Sequence, residues 1–202
     1  MIPKIIWQTH ESNYEDLPDL YKTNSQTWKD SFPDWEYRYC SAEDRRNFIK
    51  EFFPEYLYIY DHIKYGIYKA DFWRYLIVYQ FGGLYADMDS IYIGNSFDYE
   101  KCLVVSTNTV GFPEDQPYAN AWFAACPKNE ILRYVINELI KKAYSLDFFI
   151  LEDPGPMWVF ATGPAMYSSV INKHAHAVDF LYFPVEHSGP YKHDMDRLTF
   201  GV

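Results

Sequence analysis

The chain is 202 residues long, the length of one domain. Its 28 acidic side chains outnumber 18 basic ones and leave a formal charge of −10, a balance that repels nucleic-acid phosphates and anionic lipid alike. Hydrophobic residues at 49% and charged residues at 23% supply one sizeable core and exclude a disordered chain.

In chain order, the apolar run Lys4-Ile5-Ile6-Trp7 turns polar at Gln8, Thr9 and His10, the pattern of a buried strand entering a loop. Residues 17–31 read as a polar surface helix, and residues 35–40 alternate with β-rich composition as a half-buried strand does. Ser41-Ala42-Glu43-Asp44 has the form of a capping box that opens a helix running to residue 52. Pro54 starts another helical stretch, and residues 68–81 form a stronger one. There Ala70, Trp73, Leu76, Ile77 and Gln80 recur at helical spacing before a Gly82-Gly83 stop. Leu84-Tyr85-Ala86 is a short strand that delivers Asp87-Met88-Asp89 at its carboxyl end, with residues 90–93 as a second strand. Further strands are expected over 102–107 and 119–125, and helices over 129–144 and 163–172. A tight turn falls at Asp153-Pro154-Gly155-Pro156, and a last strand over 178–183 precedes a polar tail. Strands alternating with helices predict an α/β domain with a mainly parallel sheet. Ligands of such sheets sit beyond the carboxyl ends of the strands, where Asp87 and Asp89 fall.

No repeat, low-complexity tract or linker divides the chain, so 1–202 reads as one unit. The aromatic share of 20% serves a core as well as a ring-stacking site and does not choose between them. Cys40, Cys102 and Cys126, an odd and sparse set in apolar contexts, read as buried thiols and favour a reducing compartment. No run approaches the ~20 apolar residues of a membrane span. The opening Met1-Ile2-Pro3-Lys4 lacks the pattern of a secretory signal, so a complete chain is expected to be soluble and cytoplasmic.

The central feature is Asp87-Met88-Asp89. On an extended chain, side chains at i and i+2 share a face, so both carboxylates are expected to point at one object. Two anions held close need a cation or a proton between them. Hard divalent ions such as magnesium or manganese take carboxylate oxygens and keep positions open for phosphates. Solvated loops carry such a triplet by chance, and its place after an apolar strand and a Gly-Gly turn is what gives it weight here. Upstream, Asp71 and Arg74 stand three apart on one helical face. On a surface such a pair contributes under ~1 kcal/mol. On a helix as apolar as this one it is costly unless partnered. An arginine can fork onto a diphosphate and an aspartate can accept hydroxyls, so helix, turn and acidic pair make one candidate site for sugar, phosphate and metal.

The run Lys69-Ala70-Asp71-Phe72-Trp73-Arg74-Tyr75-Leu76 through Gly82-Gly83-Leu84-Tyr85-Ala86-Asp87-Met88-Asp89 resembles the Asp-x-Asp sugar-binding region of glycosyltransferase family 32. The opening Ile2-Pro3-Lys4-Ile5-Ile6-Trp7-Gln8-Thr9 resembles that family's first strand, and Thr162-Gly163-Pro164 is similar to an element of its C-terminal half. The resemblance implies a GT-A fold, Rossmann-like with a mixed, mainly parallel sheet. It implies a retaining hexosyltransferase that takes a UDP- or GDP-linked sugar to a glycan, lipid or protein acceptor, assisted by manganese or magnesium. By the same resemblance Trp7, Gln8 and Thr9 lie near the nucleotide, and Asp71 and Arg74 hold the donor sugar and diphosphate. Asp87 contacts the ribose or donor sugar and, with Asp89, the metal. The expected course is front-face departure of the diphosphate, with the acceptor hydroxyl entering on the same face; Asn120, Glu152 and Asp153 are candidates for the acceptor side.

The tail departs from the family pattern. Larger members carry a His followed by a Ser-Trp element that completes the metal shell, whereas this chain has no tryptophan after Trp158. His187 and His193 are the tail's candidate ligands, since a neutral imidazole can bind metal. His174 and His176 read as helix-end surface residues. Two other functions use similar features. A haloacid-dehalogenase-type phosphatase would make Asp87 the nucleophile and Asp89 the acid/base, but it carries its motif near the chain start. A catalytically silent nucleotide-sugar-binding module would keep the same residues without turnover.

Overall fold

The computed structural model describes residues 1–92, 100–107, 118–144, 161–174, 181–183 and 191–193, with the side chains of Thr107 and the last two segments left aside. The first strand, β1 (Ile5–Thr9), is followed by α1 (Asp19–Ser31), β2 (Glu36–Cys40), α2 (Ala42–Phe52) and the short α3 (Leu57–His62). Next come α4 (Gly66–Phe81), β3 (Gly83–Ala86), β4 (Ser90–Tyr92), β5 (Leu103–Thr107), β6 (Tyr118–Ala125) and α5 (Glu130–Ala143). The described chain closes with α6 (Pro164–His174), β7 (Leu181–Phe183) and β8 (Tyr191–His193). Six strands form one sheet in the order β2-β1-β3-β6-β5-β7. β1 runs parallel to both β2 and β3, and β7 parallel to β5, while β6 runs antiparallel to β3 and β5. The sheet is therefore mixed, with its three strands β2, β1 and β3 aligned.

Side chains alternate across this sheet with the period of two that a strand imposes. Ile6, Leu84, Val104, Trp122 and Ala124 face α1 and its buried Trp28. Trp7, Tyr85, Leu103, Val105, Phe123 and Ala125 face the opposite core, shared with α2, α4, α5 and α6. Helix α4 buries Tyr68 and every residue from Asp71 to Val78, as expected of a helix apolar all round. It stops at Gly82, φ +70°, and Gly83, φ +99°. A Cβ on Gly83 would lie 2.6 Å from the Ile5 carbonyl oxygen, so only glycine lets β3 enter this close to β1. The Trp7 indole donates to the Gly82 carbonyl at 2.8 Å and ties that turn to β1. At α2 the expected capping box is present: the Asp44 amide donates to Ser41 Oγ at 3.3 Å, and the Ser41 amide to Asp44 Oδ2 at 2.9 Å.

Three features differ from the expectations. The strand over 178–183, described from Leu181, is not the last, because β8 pairs antiparallel with β4 in a separate two-stranded sheet. Tyr-Lys-His is too short and polar to show a period, so only its pairing with β4 defines it as a strand. The stretch from Pro54 divides into a single 3-10 turn, Pro54–Tyr56, and α3. The cysteines are not all buried: Cys102 is exposed, and Cys40 and Cys126 are half-buried. Cys102 and Cys126 stand at the open end of the β5–β6 ladder, outside the strands whose apolar runs suggested burial.

Candidate active site

Asp71 and Arg74 project from one face of α4, one turn apart, towards the carboxyl end of β3. Arg74 is 5% exposed and is held from three elements. Its Nη2 lies 3.1 Å from Asp71 Oδ1 and 3.1 Å from Asp87 Oδ1, and its Nη1 donates to the Asn120 carbonyl at 2.7 Å. The guanidinium sits 4.6 Å from the centre of the Tyr85 ring, and Tyr85 donates to Asp87 Oδ1 at 2.5 Å. Arg74 Nε is buried with no hydrogen-bond partner among the described residues. Burial works against the cation, but the Asp87, Tyr85 and Asp71 oxygens outweigh it and raise the guanidinium pKa.

Asp71, 1% exposed, has both oxygens engaged. Asn120 Nδ2 donates to Oδ1 at 3.0 Å and Thr162 Oγ1 to Oδ2 at 2.6 Å. Tyr75, one turn on from Asp71, donates to the Thr162 carbonyl at 2.9 Å. Burial raises the Asp71 carboxyl pKa, and Arg74 opposes that rise. Asp71 thus orients Arg74 from beneath, and Asp87, with 22% of its side chain exposed, is the member of the pair nearer solvent. Asn120 sits where β6 bulges: Val105 pairs with Phe123 but the next residue, Ser106, pairs with Ala119. Ser106 Oγ reaches the Trp122 carbonyl at 2.8 Å across the bulge. Such a bulge re-aims side chains beside a site. Here it leaves Asn120 buried under the cluster, its amide also 2.9 Å from the Tyr75 hydroxyl, and not on an open acceptor face.

The Asp-x-Asp triplet is a turn, which corrects the extended-chain argument for it. Asp87 leaves β3 with its amide donating to the Ala121 carbonyl at 2.8 Å, and the Ser90 amide returns to the Asp87 carbonyl at 3.2 Å. The period of two holds as far as Asp87, whose carboxylate stays on the side of Tyr85 and Arg74, and stops beyond it. Asp89 faces α1, where burial and then the Asp89 carboxylate raise the Tyr21 phenol. The turn's carbonyls are clamped from behind. Gln8 Nε2 and Ser90 Oγ donate to that of Asp87, Asn24 Nδ2 to that of Met88 and Trp28 Nε1 to that of Ser90.

The remaining expected residues divide by place. Gln8 is buried and also accepts from the Tyr37 hydroxyl at 2.9 Å; Thr9 donates to the Cys40 carbonyl at 2.6 Å and accepts from Arg45 at 3.0 Å. Trp7 is buried on the α4 side of the sheet. Gln8 is thus bonded to the Asp87 turn, whereas Trp7 reaches the Gly82 turn at the opposite end of β3. His193 pairs through its backbone register with Ser90, next to Asp89. His174 stacks on Tyr134 at 4.0 Å at the far end of α6, away from the carboxylates. Glu152, Asp153, His176 and His187 lie outside the described residues. Among the described residues no group of three or more acidic, His or Cys side chains is poised for a metal. The carboxylates of Asp87 and Asp89 nonetheless fit a hard divalent cation by donor chemistry, with phosphate oxygens left to fill the other positions. Sequence reasoning missed Tyr75, Tyr85, Thr162, Asn24 and Trp28 as site residues. The one signal was Thr162-Gly163-Pro164, noted as a motif without a role.

Residues 18–102 match the model of the glycosyltransferase sugar-binding region containing the DXD motif. Over 181 residues the chain is 29% identical to inositol phosphoceramide mannosyltransferase 3 of Schizosaccharomyces pombe, covering 84% of this chain and 44% of that protein. Over 89 residues it is 40% identical to the mannosyl phosphorylinositol ceramide synthase SUR1 of Saccharomyces cerevisiae, 44% of this chain and 23% of that one. An uncharacterized glycosyltransferase of Acanthamoeba polyphaga mimivirus is 39% identical over 101 residues, 49% of this chain and 40% of that one. The chain thus spans less than half the length of these curated relatives. Among solved structures, the PaToxG glycosyltransferase superposes with a TM-score of 0.61 at 15% identity over 88% of this chain and 71% of that one. The ligand-free glycosyltransferase domain of the YGT toxin superposes with 0.64 at 10% identity over 90% and 80%.

Proposed function

We propose that this chain, whose residues 18–102 match the DXD-containing sugar-binding region and whose fold is that of solved glycosyltransferase domains, is a metal-dependent hexosyltransferase using a nucleotide-diphosphate sugar. The observation that carries the reading is the Asp71–Arg74–Asp87 network joined to the clamped Asp87-Met88-Asp89 turn at the carboxyl end of β3. Asp71, Asp87 and Asp89 against Arg74 leave a formal charge of −2 at this end of the sheet. A diphosphate approaching three carboxylates is repelled unless a cation accompanies it, which supports metal dependence on electrostatic grounds alone. Asp87 and Asp89 are the residues that would hold the cation. When bound, it supplies charge neutralisation to the departing diphosphate.

The chain's own residues supply position. Arg74 places a fixed positive charge at the strand end, Tyr85 and Arg74 hold the Asp87 carboxylate in one orientation, and Gln8, Asn24 and Trp28 fix the backbone of the turn that carries Asp89. The retaining course, the UDP or GDP base and the glycan, lipid or protein acceptor rest on the family resemblance. Mannose is the first sugar to test, because two of the relatives above are named as a mannosyltransferase and a mannosyl-lipid synthase. Donor hydrolysis and transfer, assayed in manganese with GDP-mannose and UDP-hexoses, should fall at least ~100-fold in Asp89→Ala. Full turnover in that variant would remove the carboxylate's role and the reading with it.

A further inference from the structure

Cys102 and Cys126 lie at the end of the β5–β6 ladder opposite the carboxylates. The register pairs Leu103 with Ala125, which sets the two cysteines facing each other one step outside the strands. The Cys126 amide donates to the Cys102 carbonyl at 2.9 Å, and Asn129 Nδ2 donates to the same carbonyl at 3.0 Å, so the backbone at Cys102 is held by two donors. Facing residues of an antiparallel pair have Cα atoms about 4.5–5.5 Å apart. That separation falls within the span a disulfide bridges without backbone movement. The two sulfurs lie 2.7 Å apart as thiols, and Cys102 is exposed to solvent. None of this belongs to the site, since the β6 chain from Asn120 to Cys126 separates the two by ~20 Å.

We propose that Cys102 and Cys126 are a redox pair, an intrachain dithiol that closes to a disulfide by exchange with a small-molecule disulfide such as oxidised glutathione. The deprotonated Cys102 sulfur attacks one sulfur of the oxidant, which forms a mixed disulfide and releases one thiol. The deprotonated Cys126 sulfur then attacks Cys102 Sγ, breaks the mixed bond and releases the second thiol. Two cysteines are oxidised, one glutathione disulfide is reduced, and the two cysteine protons balance those gained by the two released thiols. Exposure makes Cys102 the entry point, and burial pushes the Cys126 thiol up. Cys40 stays outside the exchange: burial pushes its thiol up to about 12. The closed bridge ties the root of the hairpin whose other end carries Asn120, so its effect is on stability.

The test equilibrates the folded chain in glutathione buffers of graded redox ratio, quenches with acid, alkylates under denaturing conditions and maps peptides. The expected oxidised species carries a Cys102–Cys126 linked peptide and an alkylated Cys40. Its thermal midpoint should exceed that of the reduced form by about 5 °C or more. Cys102→Ser should abolish both linkage and shift, whereas Cys40→Ser should leave both. Three outcomes overturn the proposal: a lasting glutathione adduct on Cys102 beside a free Cys126, linkage to Cys40 or to a second chain, or no oxidation across the series. A linked form no more stable than the reduced one overturns the stabilising role.

Discussion

Arg74 donates to Asp71, Asp87 and the Asn120 carbonyl from a nearly closed position, a geometry that a planar fork meets and a single ammonium does not. Arg74→Ala leaves Asp71 buried without its cation and should lower stability by about 3–5 kcal/mol, read from urea midpoints. A loss below about 1 kcal/mol would contradict the network. Arg74→Lys should recover only part of that loss. Asp71 gives a pH signature. Burial raises its folded pKa above the ordinary 3.8, so between those two values the folded chain binds more proton than the unfolded one. Stability relative to Asp71→Asn should therefore fall as pH rises from about 4 through the folded pKa and then level off; a difference curve that rises over that range would contradict the burial argument. Asp71, Arg74 and Asp87 were legible because helical spacing and a strand end place them. Thr162 was not, because its partner Asp71 lies 91 residues away and no local period reports such a contact.

The elements that deliver these residues depend on a few local rules. The double glycine between α4 and β3 is one, since Gly83 combines φ +99° with a neighbouring carbonyl where a Cβ would go. Gly83→Ala should cost about 2 kcal/mol or more and displace the Asp87 turn, which unfolding midpoints and donor affinity measure together. The strands, the capping box and the helix over 68–81 could be read from alternation, a four-residue motif and apolar spacing. What escaped were features made by pairing. The β6 bulge that buries Asn120 depends on the register against β5, and β8 exists through β4; neither leaves a period in its own residues. The Asp-x-Asp turn was misread for the same reason, because the Ser90-to-Asp87 hydrogen bond closes it and not the pattern of β3.

Across the whole molecule, a mixed sheet between two apolar layers brings the carboxyl ends of β2, β1 and β3 to one side, and the bulged start of β6 returns Asn120 to it. The fold class was legible because strands and helices alternate along the chain; the antiparallel insertion of β6 was not, because strand order is set by long-range pairing. No described helix is long and apolar enough to cross a membrane. The most direct test of the central claim is binding of GDP-mannose, UDP-glucose and UDP-galactose by thermal shift, with and without manganese, in parallel on the native chain and Asp89→Ala. At least one donor should stabilise the native chain only in the presence of manganese, with the shift absent in Asp89→Ala. Equal stabilisation without metal, or an undiminished shift in the variant, would contradict that claim.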